Sequence, residues 1–229
     1  PPVLTVPTGP ESVAEGDSLT ISTAAGNPIT ITDVDADETP FGAGTGGVNV
    51  SISATKATFT LASTANLANV TGNGTATVTF DGTIADTATA LDGLQYTPDA
   101  LVNGSDTITV NVSDKGNTGA GGVMTQMDTI AVNIMATNDP PVVTVPGSQT
   151  VNEDISTAIS GISIADPDAG SGNVTVTLSV AQGILTVNTS AAGGVPSGQI
   201  TSNGTSTVTL LGTISQQNAT LATLRFQTA

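Results

Sequence analysis

The sequence predicts an all-β protein made of two tandem antiparallel β-sandwich domains, and three observations support this. Apolar and polar residues alternate with a period of two, which places the apolar side chains on one face of a half-buried strand. Glycine, asparagine and aspartate punctuate these segments at short intervals, as in sandwiches of short strands. The opening PPVLTVP of residues 1–7 reappears as PPVVTVP at residues 140–146. An internal repeat of this kind indicates two copies of one domain.

Four segments alternate most regularly and are predicted to be strands: 48–53, 75–80, 107–112 and 129–134. Most of their apolar residues are small and β-branched, which suits a pleated and half-buried surface. Phe59, Phe80 and Tyr96 are the few large side chains expected in the core.

One stretch of the first copy departs from the strand pattern. Apolar residues at helical spacing predict a short helix within residues 84–94, with Asp86 as a plausible N-cap and Gly93 as the stop. The second copy has the same feature, which Ile214 opens and Leu221 lines.

The joint between the copies sets the predicted domains at residues 1–138 and 139–229. Two consecutive prolines beginning at Pro140 fix the backbone and force the preceding residue into an extended conformation. We therefore expect a short, stiff connector. Asn138 and Asp139 stand just before it, and both carry oxygens that suit a hard cation such as Ca²⁺.

The two copies differ after the strand that carries their aromatic residue, Tyr96 in the first and Phe226 in the second. The first continues through two more strands, at about 106–113 and 128–135, whereas the second has no counterpart to them. The second domain is thus predicted to lack its last two strands. Truncation of the chain is the simpler explanation, and a strand donated by a neighbouring molecule is the alternative.

Composition excludes several classes of function. The net charge is −16, and the only cations are Lys56, Lys115 and Arg225. No basic surface exists to neutralise phosphates, so we expect no nucleic-acid partner. The sequence has no apolar run of membrane-spanning length, so no membrane insertion is expected. Without Cys or His, thiol chemistry is excluded and only a hydrolase with a carboxylate pair remains conceivable. We expect the protein not to be an enzyme.

Carboxylates are concentrated in two loops at equivalent places of the repeat. Asp33 and Asp35 follow one short apolar strand, and Asp166 and Asp168 follow its counterpart. Alternate residues of an extended loop can direct two carboxylates at one point, where Ca²⁺ would relieve their repulsion. The simpler interpretation is that aspartate is a common turn residue that bonds its own backbone. The recurrence of the pattern favours a metal site. It is not an EF-hand, because that loop requires glycine where Glu38 stands.

A family resemblance joins these features. The second copy contains V-x-E at residues 151–153 and A-x-D-x-D-x-G-x-N in a looser form from residue 165, as in the first half of a cadherin repeat. The end of the first copy has V-x-D-x-G at residues 112–116, followed by a strand and by Asn-Asp before proline, and is similar to the second half. The chain resembles the tandem cadherin-like repeats of very large bacterial surface adhesins, over one complete repeat and most of another.

In that family Ca²⁺ ions lie between consecutive domains and stiffen the rod. The resemblance implies a calcium joint formed by Glu15, Asn138, Asp139, Asp166 and Asp168.

It also implies a second, incomplete site formed by Asp33, Asp35 and Asp114. The family's linker starts with an acidic residue where Ala136 stands, and it has asparagine where Pro140 stands. Fewer ligands imply fewer or weaker ions.

The expected function is therefore a calcium-stiffened spacer of a secreted or cell-surface bacterial adhesin or matrix protein. Its partners would be neighbouring repeats of the same chain, together with like molecules or a surface polysaccharide. A carbohydrate-binding module is one alternative, although without Trp the chain offers few aromatic platforms, and an exposed Phe41 beside a groove would favour it. A filament subunit completed by a neighbour's strand is the other.

Overall fold

The computed structural model describes residues 1–36, 46–116 and 122–228. The protein is mostly β, with several antiparallel sheets and two short helices in the described part of the chain. Two compact units are present, Pro1–Thr137 (unit 1) and Asn138–Ala229 (unit 2), and the boundary falls one residue before the predicted one. No helix of the described residues combines the length and the apolar character that crossing a bilayer requires.

Unit 1 contains eleven strands and one helix in its described residues. In chain order these are β1 (Val3–Thr5), β2 (Glu11–Ala14), β3 (Leu19–Ile21), β4 (Thr30–Thr32), β5 (Val48–Ser53), β6 (Ala57–Thr60), β7 (Ala68–Thr71), β8 (Thr77–Gly82), α1 (Ile84–Leu91), β9 (Leu94–Pro98), β10 (Gly104–Ser113) and β11 (Thr125–Met135).

The largest sheet of unit 1 has six strands in the order β2-β11-β10-β5-β8-β7. The long hairpin β10–β11 forms its centre, since β10 pairs antiparallel with β5 and β11 pairs parallel with β2. Smaller sheets, β3-β9-β6 and β1-β4, complete the unit. All four strands predicted from alternation are present, although β8 begins two residues later than the predicted segment.

The core of unit 1 is a single cluster of buried apolar side chains from all three of its sheets. The side chains of β5 show the alternation directly: Val48, Val50 and Ile52 are 0 % exposed. The three large side chains expected in the core, Phe59, Phe80 and Tyr96, are also completely buried, as predicted. Alternation alone was enough to find the inward face, because a strand exposes successive side chains on opposite sides.

Unit 2 repeats the first part of this order. In chain order its elements are β12 (Val142–Thr144), β13 (Thr157–Ala158), β14 (Ser163–Ala165), β15 (Val174–Ser179), β16 (Ile184–Thr186), a 3₁₀ turn (Ser197–Gln199), β17 (Ile200–Thr201), β18 (Thr207–Gly212), α2 (Ile214–Leu221) and β19 (Arg225–Gln227).

Strand pairing in unit 2 follows that of unit 1. The pair β12–β14 corresponds to β1–β4, the sheet β13-β19-β16 to β3-β9-β6, and β15-β18-β17 to β5-β8-β7. After β19, which carries Phe226, the described residues contain no counterpart of the hairpin β10–β11. The smaller core of unit 2 gathers around residues such as Val208, Leu210 and Leu221.

The N-cap of helix α1 lies three residues before the predicted one, so the prediction that Asp86 is the N-cap is wrong. Thr83 holds the cap, because its Oγ1 accepts a hydrogen bond of 3.1 Å from the N–H of Asp86. Asp86 lies in the first turn and its Oδ2 accepts from the Thr83 hydroxyl at 2.6 Å. The stop at Gly93 is supported by its φ of 113°, which favours glycine. In α2, Thr213 and Gln216 form a reciprocal capping box.

Thr83→Ala is expected to lower the free energy of unfolding of unit 1 by about 1 kcal/mol, because it leaves the Asp86 N–H without its cap. Chemical denaturation followed by near-ultraviolet circular dichroism of Tyr96 measures this, since the chain has one Tyr and no Trp. Thr83→Ser should retain most of the stability. Thr213→Ala, in unit 2, is the matched control and should leave the Tyr96 transition in place. A Thr83→Ala transition unchanged from the wild type would contradict the assigned cap.

Candidate metal sites

The first Asp-x-Asp loop follows β4 and turns back on itself. Oδ1 of Asp33 accepts a hydrogen bond of 3.3 Å from the N–H of Asp35, which is the self-bonding turn that aspartate commonly makes. The other oxygens are used differently. Oδ2 of Asp33 and Oδ1 of Asp35 are enclosed, and no N–H or O–H group of the described residues donates to them. Two enclosed acceptor atoms of this loop therefore receive no donor from the described residues.

The pKa values of this pair diverge. Partial burial, followed by the adjoining carboxyl group of Asp35, raises the pKa of Asp33 above its ordinary value. The same side-chain contact lowers the pKa of Asp35. The two carboxyl groups are thus close enough to share a proton, as two adjacent acids do when no cation compensates their charge. A divalent ion at the same place would replace that proton and favour the ionised form of both groups.

Asp114, the third residue predicted for this site, stands directly after β10. It is 5 % exposed, and its Oδ1 accepts from the N–H groups of Gly116 at 2.9 Å and Met124 at 2.8 Å. Its own N–H donates to the carbonyl of Met124 at 3.0 Å. Asp114 therefore closes the base of the loop between β10 and β11. An aspartate that serves only as a turn residue would make the same backbone bonds.

The second Asp-x-Asp loop follows β14 and has the same local geometry as the first. Oδ1 of Asp166 accepts from the N–H groups of Asp168 and Ala169, both at 3.0 Å. Asp168 extends further, and its Oδ2 accepts a short hydrogen bond from the N–H of Asp139. Within unit 2, Asp139 is therefore linked to Asp168 and Asp168 to Asp166 by bonds from backbone N–H groups to carboxylates.

Glu15 and Asn138 complete the predicted ligand set. Glu15 follows β2 and is 8 % exposed, and its Oε2 accepts from Asn103 Nδ2 at 3.4 Å. Its N–H donates to the carbonyl of Met135 at 2.8 Å, which anchors it to the end of β11. Asn138 is exposed, and its Nδ2 donates to the carbonyl of Asp139 at 3.3 Å.

No three His, Cys, Asp or Glu side chains meet in a metal-holding arrangement within residues 1–36, 46–116 and 122–228. A site at either loop would thus rest on two carboxylates, completed by carbonyl, amide or water oxygens, all of which Ca²⁺ accepts. The neighbouring Asp37 and Glu38, like Phe41, lie outside the described residues.

Sequence reasoning missed two buried acids that hold unit 1 together, Asp81 and Asp106, which are 5 % and 6 % exposed. Asp81 forms an ion pair of 2.9 Å with Lys115 and also accepts from Asn49 and Asn69. Burial would raise the pKa of Asp81, but these contacts outweigh it and hold the pKa below its ordinary value.

A signal for Asp106 was present in the sequence. Along β10, Asp106 is in phase with Ile108, Val110 and Val112, whose side chains point into the core. Strict alternation therefore places a carboxylate on the buried face, where it requires several hydrogen-bond donors. The donors themselves are distant in sequence and could not be identified from it.

These observations define an all-β protein of two units in which strand order and an Asp-x-Asp turn recur at equivalent positions. A scan against protein-family models finds no match, and a search of curated proteins finds no significant relative.

Proposed function

We propose that the protein is a calcium-stiffened structural repeat of a large secreted or cell-surface adhesin or matrix protein, built from two β-sandwich domains of the cadherin-like kind. The observation that carries the proposal is the Asp33–Asp35 pair, whose enclosed oxygens Oδ2 and Oδ1 receive no donor from the described residues. The recurrence of the same turn at Asp166 and Asp168 supports it, because two independent loops carry the same arrangement.

Simple electrostatics favours a cation at these loops. Two unit charges about 4 Å apart repel by about 4 kcal/mol at a protein surface, and a divalent ion between them reverses the sign. A net charge of −16 adds a general preference for divalent cations over anions. Among such cations Ca²⁺ suits the loops best, since it accepts oxygen ligands in loose geometry and in variable number.

Stiffening follows from the position of Asp139. This residue directly precedes Pro140 and Pro141, and its N–H is bonded to the carboxylate of Asp168. An ion held by Asp166 and Asp168 that also takes an oxygen of Asp139 would fix the segment by which the chain enters unit 2. The prolines transmit that constraint, because their φ angles are locked.

The setting of the proposal is extracellular, where free calcium is abundant. Sites of extracellular modules bind Ca²⁺ with a Kd of about 10⁻⁴–10⁻³ M. At a free concentration of about 100 times Kd, one site adds about 2.7 kcal/mol, enough to hold a hinge. The partners proposed are neighbouring repeats of the same chain, and like molecules or a surface polysaccharide for the adhesive role.

Titration of the full chain with Ca²⁺ is expected to show millimolar or tighter binding by calorimetry and an increase in the radius of gyration by small-angle scattering. Asp33→Asn combined with Asp35→Asn should remove the heat of one class of site, because a neutral amide attracts the divalent ion far less than a carboxylate does. Asp166→Asn combined with Asp168→Asn should abolish the change in scattering.

Asp128→Asn is the matched control, since Asp128 is exposed on β11 and carries the same charge. It should leave both signals unchanged. Calcium at 10 mM or less that produces neither heat nor a change in scattering would refute the proposal, as would equal losses in the control variant.

A further inference from the structure

We propose that unit 2 is completed by a β-hairpin supplied from outside residues 138–228, which docks antiparallel against the open edge of β15. The occupant is defined by its chemistry: two extended segments of about ten residues whose β-branched apolar side chains alternate with Thr, Asn or Ser. The proposal does not depend on calcium, and it goes beyond the function proposed above.

Strand β15 occupies the same place in unit 2 as β5 does in unit 1. Strand β5 pairs with β8 from Val48↔Gly82 to Ser53↔Thr77, and β15 pairs with β18 from Val174↔Gly212 to Ser179↔Thr207. The register is identical at both ends. On its other side β5 pairs with β10, from Thr109↔Ser53 to Ser113↔Asn49. In the described residues β15 has a single ladder partner, β18, so its second edge is open.

Burial at equivalent positions shows what the hairpin covers. Val48, Val50 and Ile52 of β5 are 0 % exposed, whereas their counterparts in β15 are only half-buried: Val174, Val176 and Leu178. The side chains are equally apolar in both units. The difference therefore arises from the layer that covers them and not from the strand itself.

A second element shows the same contrast independently. At the N-terminal end of unit 1, Leu4 of β1 and Val6 just after it are 6 % and 7 % exposed. Their repeat counterparts, Val143 of β12 and Val145 just after it, are 61 % and 66 % exposed. Strand β1 packs against β11 in unit 1, so these valines are left bare where a β11 equivalent would lie.

The segment that would pair with the second strand of the hairpin also lacks a partner among the described residues. In unit 1 the outer strand of the hairpin pairs in parallel with β2, from Val132↔Glu11 to Met135↔Ala14. The repeat counterpart of β2, residues 149–152, forms no strand in unit 2. In unit 1, β5 has an antiparallel partner and β2 has a parallel one, and these are two different strands. A single added strand could therefore pair with β15 or with residues 149–152, whereas an antiparallel hairpin could pair with both.

A continuous groove occupies this place in unit 2. It consists of two adjoining cavities of about 320 Å³ and about 460 Å³, which share Ile162, Leu178 and Ser179. The first reaches Val151 and the second reaches Val143. Apolar side chains dominate the walls, and strand addition at a sheet edge obtains its affinity from the backbone and its register from such alternate pockets.

A second folded copy of the chain cannot supply this hairpin intact. Its own β10–β11 hairpin is joined by a ladder from Gly104↔Ile134 to Ser113↔Thr125 and also pairs with β5 and β2. Ile108 and Val110 of that hairpin are 0 % exposed, so donation would open the core of unit 1. The occupant is therefore a segment that is not already folded into such a unit.

A synthetic peptide of residues 104–135 of this sequence is the test occupant, because it has the pattern and register that the repeat requires. Added in trans to the full chain in the presence of a calcium chelator, it is expected to bind with one-to-one stoichiometry by calorimetry. Hydrogen exchange should then show protection of the amides of residues 174–179 by at least tenfold.

Two pairs of variants locate the contact. Leu178→Lys in the protein should weaken binding at least tenfold, whereas Thr207→Lys, at an exposed position of the neighbouring strand β18 that lines neither cavity, should leave it within about twofold. In case Leu178→Lys disturbs folding, the peptide is varied against the wild-type chain. Val110→Lys should abolish binding and Asn111→Lys should not.

Three results would overturn the proposal. The first is no binding of the peptide while unit 2 remains folded by circular dichroism. The second is binding that Val110→Lys does not weaken. The third is a dimer of the full chain without peptide in which residues 174–179 are already protected, since a second copy would then fill the groove.

Discussion

Asp106→Ala is expected to lower the free energy of unfolding of unit 1 by about 3 kcal/mol or more, because it leaves several buried donors without an acceptor. The carboxylate accepts from the hydroxyls of Tyr96 at 2.8 Å and Thr55 at 2.9 Å. It also accepts from the N–H groups of Thr55 at 3.3 Å and Lys56 at 3.2 Å. One side chain thus joins β9, β10 and the turn before β6.

The same network predicts how stability depends on pH at the acid end. Burial would raise the pKa of Asp106, but hydrogen bonds from Tyr96, Thr107 and Thr55 outweigh it and hold the pKa below its ordinary value. A depressed pKa in the folded state gives stability that is present above the unfolded value of about 4 and is lost as the pH falls below it. Asp106→Ala should remove this part of the acid dependence.

The alkaline end depends on Tyr96. Burial, together with the hydrogen bond and the charge of Asp106, raises the pKa of Tyr96 far above its ordinary value. The neutral phenol is therefore favoured by folding, and its contribution is complete below about pH 10 and is lost above it. Tyr96→Phe should flatten the decline in stability above pH 10.

Denaturation with urea at pH 3 to 11 measures these effects, with the Tyr96 signal as the reporter of unit 1 for the Asp106 variant. Because Tyr96→Phe removes that reporter, far-ultraviolet circular dichroism replaces it there. Asp128→Ala is the matched control, since this acid is exposed on β11 and contributes to the pKa of neither Asp106 nor Tyr96. An Asp106→Ala variant within about 1 kcal/mol of the control would show that water replaces the carboxylate without cost.

Phe59→Ala is expected to destabilise unit 1 by about 3–5 kcal/mol, the range for truncating a buried phenylalanine. Phe59 is 0 % exposed, and its ring meets that of Tyr96 edge to face, with centroids 5.7 Å apart and an interplanar angle of 64°. The two residues are also direct partners in the β6–β9 ladder. The truncation therefore creates a cavity and removes an aromatic pair at once.

Near-ultraviolet circular dichroism of Tyr96 measures both effects. Its native signal should change because Tyr96 loses the neighbouring ring, and its unfolding transition reports the stability of unit 1. Phe59→Leu should lose less than half as much stability as Phe59→Ala, since leucine fills most of the volume of the phenylalanine ring. Phe226→Ala, in the half-buried core of unit 2, should leave the Tyr96 transition unchanged. A loss below about 1 kcal/mol in Phe59→Ala would mean that the core collapses around the cavity.

The strands were predictable to the extent that alternation is a local property. Residues 48–53 were predicted and found as β5 with the same bounds, and the inward faces of β10 and β11 were correct. The helix cap was predicted at the wrong residue, because Thr83 and Asp86 both suit a cap and only the backbone geometry distinguishes them. The Asp-x-Asp turns are local too, and their self-bonding geometry follows from the aspartates alone.

The contacts that give the acids distinct roles could not be read from the sequence. Asp114 and Asp106 look alike as residues of one hairpin, yet Asp114 closes the adjoining loop while Asp106 binds residues about fifty positions away. The contact between Asp139 and Asp168 likewise joins residues far apart in the chain. Such pairings depend on the order of strands in a sheet, and one sequence does not reveal that order.

By itself, the sequence determined the all-β class, the repeat, the acidic charge and the positions of the paired aspartates, since each follows from residue type and short-range spacing. The tertiary structure alone decided which apolar faces are covered. Val50 and Val176 belong to the same position of the repeat, and only Val50 is sealed, because burial depends on the strand that lies next to a residue in space.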